Sequence, residues 1–125
     1  MRPGINYNQR NKREKICERG NIVFVPVPFT DLSVKKKRPV LIISNNKYNR
    51  SNKDFICCGI TSNVKDTDYS VFIDTQDLSI GFLTQPSIIK VDKIFTLDQS
   101  IIIKTIGKAN SEIIKKVKNE LFKLF

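Results

Sequence analysis

GNIVFVPVPFTDLSVKKKRPVLIIS, residues 20–44, contains two β-branched runs on either side of a polar, basic loop. Such runs are typical of strands. Pro26 and Pro28 end the first run, because proline cannot donate to a central ladder. The loop ends on Arg38, and Pro39 opens the second run. An arginine held at the start of a strand, with lysines before it, is suited to binding a phosphate group.

Further runs rich in Val, Ile and Phe follow, separated by polar or glycine-bearing breaks. The runs are residues 22–26, 40–44, 55–60, 69–74, 87–91, 94–97 and 101–106. Short strands at this spacing predict a mainly β protein, a small barrel or sandwich. Several runs are apolar on both faces, as expected where a barrel closes or where two copies of the chain meet. The asparagine- and charge-rich residues 45–54 are predicted to be a mobile loop.

The C-terminal residues change to a helical period. Asn110 or Ser111 can cap a helix that runs to about Lys123. Apolar residues recur there at three- and four-residue spacing: Ile113, Ile114, Val117, Leu121 and Leu124. We expect this stripe to pack on the barrel, and docking on a partner or on a membrane surface is the alternative.

Charge and length set the class of partner. The chain has 125 residues, which suggests one domain, and a net charge of +10. This charge favours a polyanion such as nucleic acid, an anionic membrane or an acidic protein, although it could also serve solubility alone. Residues 1–18 are polar, basic and without periodicity, and they are predicted to be a flexible extension. Residues 19–125 are predicted to form the single domain.

Cysteine and histidine content narrows the possible chemistry. The three cysteines are an odd number, and no secretory segment precedes the domain, so we expect a reducing cytoplasm. Adjacent Cys57 and Cys58 should face opposite sides of a strand and behave as small buried hydrophobic residues. Without histidine, a Ser-His-Asp device and a two-histidine ribonuclease mechanism are excluded. The same composition argues against a tetrahedral zinc site, and no apolar run is long enough to span a membrane.

Arginine and hydroxyl residues are therefore the candidates for catalysis. Arg38 carries a planar fork of donors that suits a phosphate or its transition state. Thr61 and Ser62 follow the third run, where their hydroxyls could donate to a phosphate oxygen. For Arg38 the alternative is one more charge in a lysine-rich loop. For Thr61 and Ser62 the alternative is that their hydroxyls hydrogen-bond their own backbone in a turn.

Taken together, these segments resemble the MazF/PemK family of toxin endoribonucleases from Gly20 to about Lys108. No single segment is specific to this family, but the order and spacing of the segments together are. The matching pieces are Gly20-Asn21-Ile22, Pro28, Arg38-Pro39-Val40-Leu41-Ile42-Ile43, Asn49, Ile60-Thr61-Ser62, Gly81, Ser87 and residues 91–98.

The resemblance implies an SH3-like β-barrel with a C-terminal helix, assembled as a homodimer. It implies a toxin of a type II toxin–antitoxin system that cleaves single-stranded mRNA without a metal or cofactor. The 2′-hydroxyl attacks the adjacent phosphorus and leaves a 2′,3′-cyclic phosphate and a 5′-hydroxyl. The implied partners are single-stranded RNA and a small acidic antitoxin.

The resemblance also assigns residues to these roles. Arg38 and Thr61 match the family's catalytic pair, and Ser62 is a second possible donor. RNA contacts are expected from Lys35, Lys36, Lys37, Asn49 and Ser87.

Three positions depart from the family pattern. Ser33 stands where many members have an acidic residue in the first loop, and Asp31 could replace that acid only in part. If it does, Asp31 should orient Arg38 or the 2′-hydroxyl; otherwise it only organises the turn. Gly59 stands where the family has proline, and Phe95 where many members have arginine. Two other functions therefore stay open: a non-catalytic RNA- or protein-binding barrel, and a toxin that poisons DNA gyrase.

Overall fold

The computed structural model describes residues 17–27, 36–65 and 67–125. In this part of the chain, seven strands form one antiparallel sheet with two α-helices. The strands are β1 Asn21–Val27, β2 Lys36–Ile42, β3 Asp54–Thr61, β4 Ser70–Ile73, β5 Leu78–Gly81, β6 Ser87–Asp98 and β7 Lys104–Ala109. The helices are α1 Asn46–Ser51 and α2 Ser111–Leu124. The predictions of a mainly β fold and of a C-terminal helix are confirmed.

The sheet must curl because its two edge strands are joined by a short link. The strand order is β4-β6-β3-β2-β1-β7-β5. In a flat sheet, six strand spacings would separate β4 from β5 by about 29 Å. The five residue steps from Ile73 to Leu78 span at most about 18 Å. The link can therefore be made only if the sheet bends into a half-barrel.

The link itself is a capped 3₁₀ turn, Thr75–Asp77. The Asp74 carboxylate accepts a hydrogen bond from the Thr75 amide at 2.7 Å, and the Asp77 carboxylate accepts from the Asp74 amide at 2.9 Å. The Asn110 amide donates to the Asp77 carbonyl at 2.9 Å, just before α2 begins. The turn is thus fixed both internally and to the start of the C-terminal helix.

Side-chain alternation divides the core into two clusters, one on each face of the sheet. Paired residues share a face: Ile22 lies opposite Leu41 in one cluster, and Val23 opposite Val40 in the other. On the inner face, α2 packs through a stripe of apolar residues, as predicted: Ile113, Ile114, Val117, Leu121 and Leu124. The helix therefore fills the concave side of the half-barrel.

The outer face is covered by the chain itself. Cys17 and Leu97 are buried there, and Ile101 and Ile102 pack against the same cluster from the segment after β6. Much of the apolar pattern on both faces is thus buried within one chain, whereas Phe72, Ile80 and Ile94 on the strands stay exposed. The homodimer stays a prediction that follows from the family resemblance.

Cys17 and Glu18 are the last two residues of the predicted basic extension. Cys17 is 3% exposed, and the Glu18 carboxylate pairs with the Lys108 ammonium at 3.1 Å. These two residues pack on the domain, and the remainder of the predicted extension lies outside the described residues. No helix in the described part of the chain is long and apolar enough to cross a membrane.

The cysteines are buried and unpaired. Cys58 belongs to the inner cluster, whereas Cys17 and Cys57 belong to the outer one, so the prediction that Cys57 and Cys58 face opposite sides is confirmed. Burial raises the pKa of each of the three thiols to about 12. They therefore remain neutral near pH 7. The described residues contain no group of three or more His, Cys, Asp or Glu placed to hold a metal ion.

Residues 45–54 contain the short helix α1, and the prediction that they form a mobile loop is wrong. The Asn45 side chain caps α1 by accepting from the Tyr48 amide at 2.8 Å. Asn49 is 3% exposed, and its amide donates to the Ser44 carbonyl at 3.0 Å while its oxygen accepts from the Ser44 hydroxyl. The Gln99 side chain closes the segment by donating to the carbonyls of Asn49, Asn52 and Asp54. These contacts give a polar sequence the buried partners that make it ordered.

Two glycines allow β5 to approach β7. Gly81 has φ +83° and pairs with Gly107. A Cβ on Gly107 would lie 2.8 Å from the Ile80 carbonyl oxygen and 2.9 Å from the Leu78 side chain. The β5–β7 ladder, and with it the curl, depends on this close backbone contact.

We expect Gly107→Ala to destabilise the fold by about 1–3 kcal/mol, because the clash is with backbone that cannot move without breaking the ladder. Gly59→Ala is the matched control, since a Cβ there would make only ordinary contacts at 3.8 Å. Urea unfolding midpoints measure both variants. Equal stability of Gly107→Ala and wild type would show that β5 does not depend on this approach.

Asn49→Ala should lower the free energy of unfolding by about 1–3 kcal/mol, because it removes the donor to the Ser44 carbonyl and the acceptor of the Ser44 hydroxyl from a buried site. Asn52→Ala is the control, since this exposed amide makes one hydrogen bond at 3.1 Å and surface changes typically cost within about 0.5 kcal/mol. Thermal unfolding and RNA binding should be measured together. Weaker RNA binding by a variant of unchanged stability would instead assign Asn49 to the RNA interface.

Candidate functional site

Arg38 lies in β2, opposite Val25 of β1, and its side chain is exposed. Pro39 follows it and lies opposite Phe24. Because proline fixes its own φ, it restricts the path of the backbone directly after the arginine. Lys36 and Lys37, both exposed, precede Arg38 on the same strand. The strand therefore presents three cations in a row at one end of the sheet.

Thr61 ends β3, the neighbour of β2. The two strands pair antiparallel, and the last pair of their ladder on this side is Val40 opposite Gly59. Arg38 and Thr61 each lie two residues beyond that pair, one on each strand. The ladder thus places the arginine and the threonine at the same end of neighbouring strands, although 23 positions separate them in the sequence.

The Thr61 hydroxyl already serves the turn that follows it. Its oxygen accepts a hydrogen bond from the Asn63 amide at 3.1 Å. A hydroxyl has one donor and two acceptor positions, so this bond leaves the hydroxyl proton available for a phosphate oxygen. The turn role of Thr61 is therefore compatible with the catalytic role predicted from the sequence, and the turn bond fixes where the oxygen lies.

An open basin of about 640 Å³ lies beside this pair, within the usual range of about 300–1,000 Å³ for ligand sites. Its described lining contains four cations and no carboxylate: Lys36, Lys37, Arg38 and Lys104. The Lys37 ammonium lies 4.9 Å from the centre of the Phe24 ring. A site with this lining attracts an anion along its whole length.

The basin brings together five of the residues expected from the sequence: Lys36, Lys37, Arg38, Ser62 and Ser87. Thr61 lies next to the basin rather than in its lining. Ser87 is 6% exposed, and its hydroxyl donates to the Gln85 carbonyl at 3.1 Å. The structure does not bring Asn49 to the basin, since it is buried beside Ser44. Asp31 and Lys35 lie outside the described residues, as does Ser33.

The basin also contains residues that the sequence did not indicate. Lys104 of β7 reaches it because β7 pairs with β1, placing Lys104 opposite Phe24. Phe82 and Gln85 come from the connection between β5 and β6. No local motif marks these residues, because they join the site only when the curled sheet brings β5 and β7 round to β1.

Two of the departures from the family pattern are neighbours in space. A Cβ on Gly59 would lie 3.8 Å from the Phe95 ring and 3.8 Å from the Lys93 side chain. Phe95 packs against the outer cluster. The small residue at 59 and the large apolar one at 95 therefore adjust the same outer surface, two positions along β3 from Thr61.

Solved structures with the same fold are endoribonucleases and toxins. An endoribonuclease from a mycobacterial species is 24% identical, with TM-score 0.67 over 85% of this chain and 88% of that one. The MazE–MazF complex of Deinococcus radiodurans is 19% identical, with TM-score 0.69 over 87% and 94%. MazF from the same organism is 21% identical, with TM-score 0.67 over 87% and 96%. At this identity the likeness establishes the fold.

The sequence itself matches a known family over nearly its whole length. Residues 18–125 match the family described as the PemK-like, MazF-like toxin of type II toxin–antitoxin systems. No curated protein sequence is similar enough to count as a match. The matched range includes all seven strands and both helices described above. The chain belongs to the PemK-like, MazF-like toxin family of type II toxin–antitoxin systems.

Proposed function

We propose that this toxin is a sequence-specific endoribonuclease that cleaves single-stranded mRNA in the cytoplasm without a metal ion. The observation that carries the proposal is the β2–β3 ladder, which places Arg38 and Thr61 at the same end of neighbouring strands, beside a basin whose described charged residues are all cationic. A guanidinium and a hydroxyl can both donate hydrogen bonds to a phosphodiester, and the cations of the described lining attract it. The solved relatives named as endoribonucleases share the fold.

The reaction uses the RNA's own nucleophile. Solvent water takes the 2′-hydroxyl proton, the 2′-oxygen forms a new bond to the adjacent phosphorus, and the P–O5′ bond breaks to give a cyclic phosphate and a 5′-hydroxyl. Negative charge collects on the non-bridging oxygens in the transition state, so preorganised donors there lower the barrier. Arg38 clamps these oxygens with its planar donors and protonates the departing 5′-oxygen. The proton that the 5′-oxygen receives from Arg38 is returned to the arginine by solvent. Thr61 donates its free proton to the same oxygens, and Ser62 in the basin is the neighbouring donor.

Asp31 enters the proposal because it is the acidic residue closest in sequence to position 33, where many family members have the loop acid. The connection that contains it leaves the sheet at Val27 and returns at Lys36, two residues that pair with each other. Both ends of the connection therefore lie at the end of the sheet that carries Arg38. A carboxylate from this connection would orient Arg38 or the 2′-hydroxyl.

The proposed partners follow from charge and from the relatives. A net charge of +10 attracts both RNA and an acidic antitoxin, and it speeds their capture. One similar mycobacterial endoribonuclease was solved with its cognate antitoxin, and the Deinococcus structure is a MazE–MazF complex. We propose that an acidic antitoxin covers the basin of this chain and that two copies of the chain form a homodimer.

Arg38→Ala should slow RNA cleavage about 100- to 1,000-fold, the typical cost of losing one transition-state donor. Its thermal midpoint should stay near that of wild type, because the side chain is exposed and its removal leaves no cavity. Single-turnover cleavage is measured in EDTA with purified protein. Arg50→Ala is the matched control, an exposed arginine on α1 that does not line the basin.

Three results would contradict the proposal. Wild-type cleavage by a folded Arg38→Ala variant would remove Arg38 from the mechanism, and cleavage only with added magnesium would overturn metal independence. RNA binding without cleavage by the wild type would favour a non-catalytic barrel. Ser33, which stands in place of the loop acid, is the feature of the sequence that favours this alternative.

A further inference from the structure

Phe82 is an exposed aromatic side chain at the edge of the basic basin. It is 68% exposed and follows directly after β5. Of the large hydrophobic side chains that the described chain leaves exposed, Phe82 is the one that lines the basin. Leaving such a ring in water contributes nothing to the folded state, since the stabilisation from an apolar side chain comes with its burial. Its position beside Arg38 and Lys37 suggests a ligand that has both a phosphate and an aromatic ring.

The backbone on both sides of Phe82 is fixed. Gly81 adopts φ +83° and lies against the backbone of Gly107, which sets the direction in which the chain leaves β5. The Leu83 amide donates to the Thr75 hydroxyl at 3.0 Å. Further along the same connection, the Ser87 hydroxyl donates to the Gln85 carbonyl at 3.1 Å. The ring is therefore presented from an ordered connection, and binding need not first order its backbone.

Phe24 is the other aromatic residue that lines the basin, and a cation already contacts its ring. Phe24 is half-buried, and the Lys37 ammonium lies over its ring at 4.9 Å. One face of that ring is thus occupied by a cation, whereas Phe82 has most of its surface free. A nucleobase entering the basin would find its open stacking surface at Phe82.

We propose that Phe82 is a binding residue that stacks on one nucleobase of the single-stranded RNA while the cations of the basin hold the backbone. Aromatic residues combined with a positively charged groove are the usual means of holding a single strand, and stacking tolerates any base. Phe82 thus adds to the affinity for the strand and holds one base beside the cations of the basin. This inference rests on the proposed endoribonuclease function and adds to it the residue that positions the substrate.

The test uses a short single-stranded RNA that the wild type cuts, made uncleavable by a 2′-deoxy nucleotide at the cleaved position. Phe82→Ala should raise the Kd for this RNA about 5- to 100-fold, the usual range for losing one stacking partner. Phe82→Trp should retain wild-type affinity, because it keeps a flat ring. With cleavable RNA, the loss in Phe82→Ala should fall on KM rather than on kcat.

Phe122→Ala is the control, because Phe122 is 86% exposed on α2 and does not line the basin. A second series replaces single nucleotides of the RNA with abasic ones. The abasic position that weakens binding to wild type but not to Phe82→Ala identifies the stacked base. Wild-type binding of RNA together with an unchanged Kd for Phe82→Ala would overturn this inference alone. Failure of the wild type to bind RNA would overturn both the inference and the proposed function.

Discussion

The short link between the two edge strands shapes the whole molecule. Residues 74–77 join β4 to β5 across the full order of the sheet, and the sheet can satisfy this only by curling. The carboxylates of Asp74 and Asp77 hold the link in a capped turn. Curling brings β5 and the connection after it to the same end of the sheet as β1 and β2. The basin between Arg38 and Phe82 is therefore a consequence of this link.

The site depends on a second constraint, the register of neighbouring strands. Arg38 and Thr61 lie at the same end of β2 and β3 because Val40 pairs with Gly59, and Lys104 reaches the basin because β7 pairs with β1 at Phe24. A slip of one residue in either ladder would turn these side chains to the other face. In the β2–β3 ladder, the buried pairs Leu41–Cys58 and Ile42–Cys57 oppose such a slip. Core packing thus determines the geometry of the exposed groups that are proposed to act in catalysis.

The sequence predicted what depends on local pattern. The β-branched runs predicted the strands around Arg38, and the helical period predicted α2. The alternation along β3 predicted that Cys57 and Cys58 face opposite sides of the sheet. The sequence did not predict the structure of segments whose hydrogen-bond partners are distant along the chain. Residues 45–54 look like a loop until Ser44 and Gln99 supply hydrogen bonds to them. Lys104 and Phe82 could not be assigned to the site, because only the curl of the sheet places them there.

The chemistry of the cleaved ends tests the central claim most directly. If the 2′-hydroxyl is the nucleophile and Arg38 and Thr61 stabilise the transition state, RNA cut in EDTA must carry a 2′,3′-cyclic phosphate on one fragment and a 5′-hydroxyl on the other. Mass spectrometry of the fragments distinguishes these ends from all others. Fragments with a 3′-hydroxyl and a 5′-phosphate would show that water attacks instead, and would contradict the account.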